Sequence, residues 1–187
     1  MARIHYVNDE IYQQILGSEQ VANLLRVIFH APVWAEEFVK LATVQMTQLK
    51  LAPALRELVI LHSSRLYNAE YIWAQHQGIS QAMGVSDEQR KALLHGDLLS
   101  EVFSERERAL LQFISSVAKS QSLSAEEFAR TRQHFSEQEL VEAIGVHGFA
   151  YTVAKLTAAF DVEVDPISGS KMLAFVDEVQ SKPAELS

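Results

Sequence analysis

The strongest constraint on this chain is its repeated helix-start punctuation. Four Ser-x-x-Glu/Gln boxes stand at Ser86–Gln89, Ser104–Glu107, Ser124–Glu127 and Ser136–Glu139. In such a box the Ser hydroxyl takes an N–H of the first helical turn, and the Glu or Gln returns to the N–H of the Ser. Each therefore fixes where a helix begins. Helix stops accompany them, with Gly84 ahead of the first box and Gly96 after its helix. Pro32 and Pro53 sit where a first helical turn tolerates proline.

Read with these signals, the chain predicts about nine helices and an all-α fold. Asn8 or Asp9 caps a short helix through Ile15 and Leu16, stopped by Gly17, and Ser18 caps a second from Glu19 to His30. Pro32 opens a helix to about Lys50, and Pro53 opens one carrying Leu55, Leu58, Val59, Leu61 and Leu66. Asn68 is expected to cap a helix from Ala69 to Met83. Ser136 starts a long helix to about Phe160 that contains Gly145 and Gly148. Asp165-Pro166 breaks the chain before a last helix from about Ser170 to Gln180 and a frayed end from Lys182 to Ser187. The alternation of Val162 and Val164 between Phe160 and Val164 is too short to count as a strand.

A shift of 50 residues places Arg56-Glu57 on Arg106-Glu107, Leu61 on Leu111 and Ser86 on Ser136. Two related helical hairpins about a pseudo-twofold explain this. The expected organisation is one helical domain over 1–187: N-terminal helices to 50, a first repeat over 51–100, a second over 101–165, and a C-terminal helix and tail over 166–187.

Composition narrows the function. The chain has no Cys among 187 residues, so disulfides, thiol redox chemistry and Cys-ligated zinc are excluded. A net charge of −8 without a local Lys/Arg cluster argues against nucleic acid. No apolar run reaches the ~18 to 20 residues of a transmembrane helix. Met1-Ala2-Arg3-Ile4-His5 has no hydrophobic run behind its charge, so no signal peptide is read and a cytoplasmic protein is expected. No HExxH and no i, i+4 His pair occurs, so no metal is expected. No P-loop or GxGxxG occurs either, and no cofactor is expected.

Special residues are densest between Arg56 and Gly84. Glu57, Leu61 and Ser64 share a face of one helix; Ala69, Ile72, Trp73, His76 and Met83 share a face of the next. The Tyr67-Asn68 connection is short enough to turn the helices antiparallel. A carboxylate and an imidazole then meet on facing apolar surfaces, an arrangement suited to a proton relay near neutral pH. Glu57 also has plainer uses, favouring a helix dipole or pairing with an Arg, and His76 can be a core histidine bonded to a carbonyl. Ser63 and Ser64 lack the strand–turn–helix elbow of a serine nucleophile. His62 shares no obvious face with Glu57, whereas His147 and Tyr151 lie one turn apart and could reach the same interior.

The stretch from Leu49, with Arg56-Glu57-Leu58, Tyr71-x-Trp73-x-x-His76, Gly84 and the Ser86 cap, resembles the carboxymuconolactone decarboxylase-like family, which shares its fold with the alkyl hydroperoxidase D proteins. The upstream HAPVWAEEFVKLATV and the segments from Glu107 and Phe135 extend the resemblance over roughly 23–165. It implies an all-helical fold and a homo-oligomer, whether dimer, trimer or hexamer. In the hydroperoxidase branch a Cys-x-x-Cys pair works with a Glu and histidines. By position the Glu matches Glu57 and the later His matches His76, but Ala69 and Ile72 stand at the two Cys positions and Tyr71 at the intervening His. Thiol peroxidase chemistry is thereby excluded. The decarboxylase branch, acting on a small carboxylated lactone, remains compatible. The resemblance thus implies a catalytic set of Glu57, His76 and Tyr71, with Ser64, Ala69, Ile72 and Trp73 about a small carboxylate or lactone. His76 would be the acid or base, Glu57 its orienting partner, and Tyr71 a donor to a developing oxyanion. The second repeat has Glu126 where His76 stands, which leaves one site per chain. The rival reading is a non-catalytic scaffold that binds a ligand or partner.

Overall fold

The structure is a computed structural model, described here over residues 1–8, 22–119 and 123–165. Among these residues it contains eight helices and no strand: α1 (Asn23–Ile28), α2 (Pro32–Thr47), α3 (Pro53–Leu66), α4 (Glu70–Ala82), α5 (Asp87–His95), α6 (Glu105–Lys119), α7 (Ala125–Arg132) and α8 (Glu137–Phe160). The expected helix ending at Gly17, the Glu19 start of the next, the helix from Ser170 and the tail lie outside the described residues.

All four Ser boxes close. Ser86, Ser124 and Ser136 form reciprocal capping boxes. Ser104 and Glu107 exchange the same bonds, the Ser104 N–H reaching Glu107 Oε2 at 2.7 Å. Ser136→Ala is therefore expected to cost about 1 kcal/mol, read as a lower urea midpoint.

Helix ends differ from expectation in three places. The helix opened by Pro32 stops at Thr47 rather than near Lys50, because the N–H groups of Lys50 and Leu51 turn to the Glu142 carboxylate, at 3.2 and 2.7 Å. α1 ends at Ile28, and Phe29 and His30 form its closing turn. Asn68 does not cap α4. It has φ +52° and closes α3: its N–H reaches Arg65 O, and the Ala69 N–H reaches Ser64 O at 2.8 Å. This is the six-to-one closure that a left-handed residue makes at a helix end, and Asn tolerates that backbone better than most side chains. Ala69 takes the N-cap position of α4 without a side-chain bond.

α3 is the central element. Every residue from Leu55 to Ser64 is buried, and the helix packs against α4, α5, α6 and α8. A helix enclosed on all sides carries polar groups only where partners await them, so its Arg56, Glu57, His62, Ser63 and Ser64 each require an account. The 50-residue repeat is visible as order of elements: α4 and α7 end at Ala82 and Arg132, and α5 and α8 begin at Asp87 and Glu137. Its second copy uses its charges otherwise. Arg106 pairs with Glu139 at 2.6 Å, and Glu107 accepts from Gln89. Over the described residues 161–165 the chain does not pair as a strand; Asp161 is left-handed, Val162 is buried and Val164 is exposed.

Candidate active site

The short turn at 67–69 folds α4 back along α3 and brings the two expected groups together. His76 Nδ1 lies 2.8 Å from Glu57 Oε2. Glu57 is completely buried, 0% exposed, and its other oxygen accepts from Arg56 Nε at 3.1 Å. Arg56, itself buried, sends Nη1 to the carbonyls of Met46 at 2.7 Å and Gln45 at 3.4 Å. Those carbonyls belong to the last turn of α2, where a helix has no internal donors left. The guanidinium thus closes one helix end and neutralises the carboxylate of α3.

Burial pushes the Glu57 carboxyl up. The charges and hydrogen bonds of His76 and Arg56 outweigh burial, and its pKa falls below the ordinary carboxylate value. An ionised carboxylate only accepts, so Nδ1 of His76 carries the proton. In the neutral ring the lone pair is then on Nε2, which has no protein partner among the described residues. His76 is the open member of the group, its side chain 20% exposed against 0% for Glu57.

His76 lines a cavity of about 160 Å³. Phe38, Val39 and Met46 of α2, Arg56 and Ile60 of α3, Ile72 and Ile79 of α4, and Phe149, Ala150 and Val153 of α8 form much of its wall. The walls are mainly apolar, and the volume is close to that of an engineered protein cavity of about 150 Å³ that holds benzene. One five- or six-membered ring fits such a space.

The remaining expected site residues separate. Tyr71 and Ile72 line the cavity. The Tyr71 hydroxyl, however, gives its proton to Asp165 Oδ2 at 2.7 Å and receives the Leu24 N–H at 3.3 Å. Burial, then the Asp165 charge, pushes its pKa up. Its place as an oxyanion donor is therefore taken by a latch between α4 and residues 161–165. Ser64 is bonded to Leu61 O within its own helix, and Ala69 is buried in the turn packing. Trp73 lies under the Arg65 guanidinium, 5.9 Å from the ring centre. None of these three is part of the cavity wall.

His147 and Tyr151 do not reach the Glu57 interior either. Tyr67 donates to His147 Nε2 at 2.8 Å, His147 Nδ1–H donates to Ser63 Oγ at 2.8 Å, and Ser63 donates to Val59 O. Burial holds the His147 pKa down, in keeping with a neutral ring in this chain of donors. Tyr151 is stacked edge-on against Tyr67. His62 serves a third place, bonded to Ser115 Oγ at 2.7 Å while Ser115 donates to Leu111 O.

His62 gives a pH prediction. Burial first, then the neighbouring His147 and Lys119, push its pKa down from 6.5 to about 4. The unfolded chain binds the proton more readily in that interval, so stability rises with pH there. Its contribution is complete above pH 6.5 and is lost as pH falls towards 4, by roughly 3 kcal/mol. Urea unfolding at pH 7 and pH 4.5 should show the loss, and His62→Gln should flatten it.

Arg56 was legible only as a neighbour of Glu57. The walls supplied by α2 and α8 depend on how apolar helices turn towards one another, which no motif encodes.

No family model and no curated protein matches the chain. Solved structures do. An uncharacterized peroxidase-related protein of Ralstonia eutropha JMP134, described as an alkylhydroperoxidase AhpD core, superposes with a TM-score of 0.76 at 18% identity over 88% of this chain and 93% of that one. A peroxidase-related protein of Silicibacter sp. TM1040 gives 0.72 at 17% identity over 86% and 84%. The debrominase Bmp8, in a complex with 2,3,4-tribromopyrrole, gives 0.67 at 21% identity over 91% and 88%. The chain has the helical fold of the AhpD core, and has it without a single cysteine.

Proposed function

We propose that this protein moves a proton on a small single-ring organic acid or lactone, using His76 and Glu57 in place of thiols. The observation that carries the reading is the bond from His76 to a fully buried, ionised Glu57 at the wall of an apolar, ring-sized cavity. In that setting the carboxylate fixes the ring and its tautomer, and Nε2 is the atom left for chemistry. Apolar walls exclude water and strengthen the interaction of a ligand's charge with Arg56 and His76.

For a carboxylated lactone the step balances simply. The bond from the ring carbon to CO₂⁻ breaks, and its electron pair stays on the ring carbon, conjugated with the lactone carbonyl. CO₂ leaves, the imidazolium form of His76, with Nδ1–H held by the Glu57 carboxylate, gives its Nε2 proton to that carbon and becomes the neutral ring, and solvent returns a proton to Nε2. Tyr71, with its hydroxyl held by Asp165, positions α4 and takes no part in the transfer. The complex of the debrominase neighbour with a brominated pyrrole supports a ring-shaped ligand in this fold.

The experiment is a thermal-shift screen with small carboxylic acids, lactones and quinones. A ligand near 100 times its Kd stabilises by about 2.7 kcal/mol, enough to move the midpoint by several degrees. At least one such ligand is expected, and a flat response to every class contradicts the reading. A second reading, a scaffold without turnover, draws on the hold of Arg56 on the end of α2. It makes the Arg56–Glu57 pair structural, and the two readings part on the variants considered below.

A further inference from the structure

α8 is apolar on nearly all sides, and a helix of that kind is one that is covered all round. One side packs on α3. The outer side carries Glu137, Val141, Ile144, Gly148, Tyr151 and Lys155, and Val141 is 70% exposed. The alternation of four- and three-residue steps is that of a seam between two helices. Gly148 weakens a helix interior relative to Ala, yet a Cβ built there meets nothing within 4 Å, so the fold of one chain does not call for glycine. α2 lies alongside. Phe38 stacks on Phe149 with ring centres 4.2 Å apart, and Gln45 donates to Gly145 O at 3.4 Å. Trp34, Leu41 and Val44 of α2 are exposed beside this seam. With Val141, Ile144 and Tyr151 they bare roughly 500 Å² of apolar side chain, towards the upper end of what a lone chain shows in one patch.

We propose that this face docks a second copy of the chain, with the two α8 helices packed antiparallel about a twofold axis near Val146. The seam is complementary to itself in that register. Ile144 enters the hollow at Gly148 of the partner subunit, and Val141 meets Tyr151 of the partner subunit. At the ends, Glu137 meets Lys155 of the partner subunit, so the charges of the seam cancel. A parallel pairing sets Glu137 on Glu137 and Lys155 on Lys155 instead. Both groups are available for the exchange. Glu137 pairs with Arg132 at 3.0 Å while its side chain stays 81% exposed, and the Lys155 ammonium lies over the Tyr67 and Tyr151 rings. The seam, the α2 flank and a polar rim approach the about 800 Å² per partner of a standard interface. An unrelated partner gives no reason for a stripe to match its own reverse. α2 and α8 also wall the cavity, through Phe38, Met46, Phe149 and Val153, so the second copy backs that wall from outside. Docking of this kind is independent of what the cavity binds.

The test is sedimentation equilibrium of the full chain. The wild type is expected to form a dimer or an even-numbered assembly. A monomer or a trimer overturns the proposal and leaves the reading of the cavity in place. Gly148→Leu fills the hollow from a position with open space around it, and is expected to halve the mass while the thermal melt stays cooperative. Lys155→Glu sets like charges together at both ends of the seam and is expected to weaken the pairing about tenfold. Lys155→Glu combined with Glu137→Lys exchanges the two charges and is expected to restore it, since the antiparallel register brings these positions together. The charge exchange stands without the glycine variant should that one fail to fold. An assembly indifferent to Gly148→Leu or to Lys155→Glu uses another face. One weakened by Lys155→Glu and not restored by the exchange lacks this register. Either result overturns the proposal.

Discussion

Replacing His76 with Gln should reduce turnover of a processed ring acid by about 10² to 10⁴-fold, the usual worth of a positioned acid–base group. The fold should survive. His76 is the partly exposed member of the group, and a Gln amide can still donate to Glu57. A melting midpoint within a few degrees of wild type, together with lost turnover, separates chemistry from packing. Unchanged turnover removes His76 from the reaction.

Arg56→Met should produce the largest loss of stability, about 3 to 5 kcal/mol in urea unfolding. It strands a carboxylate that has no exposure, and it frees the carbonyls of Met46 and Gln45 at the end of α2. Glu57→Leu alone should be similarly costly, because it strands the guanidinium. The double variant Arg56→Met with Glu57→Leu removes both charges and should recover much of the loss, as replacement of a whole buried pair by apolar groups often does. Its turnover should stay absent, because nothing then fixes the His76 ring. Full activity in the double variant would make the pair purely structural and remove Glu57 from the proton relay.

The same pair has a pH signature. The Glu57 pKa is lowered on folding, so its contribution is complete above the ordinary carboxylate pKa of 4.5 and is lost as pH falls through the lower folded value. It adds to the loss from His62, which begins nearer pH 6.5. In Arg56→Met one of the two cations holding Glu57 ionised is gone, and the acid limb of the stability curve should move to higher pH.

The sequence made the helices and the Glu57–His76 meeting legible for a local reason. Serine boxes act within four residues, and a three-residue turn leaves two apolar faces little choice but to meet. The bond of the Tyr71 hydroxyl was not legible because its partner is 94 positions away. Where the chain lies after α8 follows from the whole packing and not from any nearby motif. Trp73 shares a helical face with His76 yet leaves the cavity for Arg65, since an amphipathic ring also covers a neighbouring cation well. Asn68 illustrates a conflict between two local rules. The same residue type suits the start of α4 and the end of α3, and the left-handed closure of α3 prevailed. The absence of cysteine, by contrast, needed no structure to exclude thiol peroxidation.

The most direct test of the proton-transfer claim is solvent exchange. Ring carboxylates and lactones identified by thermal shift are incubated with the protein in D₂O, and deuterium is followed by NMR at the carbon next to the carbonyl. The account predicts incorporation at that carbon with the wild type, lost in His76→Gln. Ligands that bind in the cavity yet take up no deuterium would contradict it, and would leave this fold as a binding scaffold.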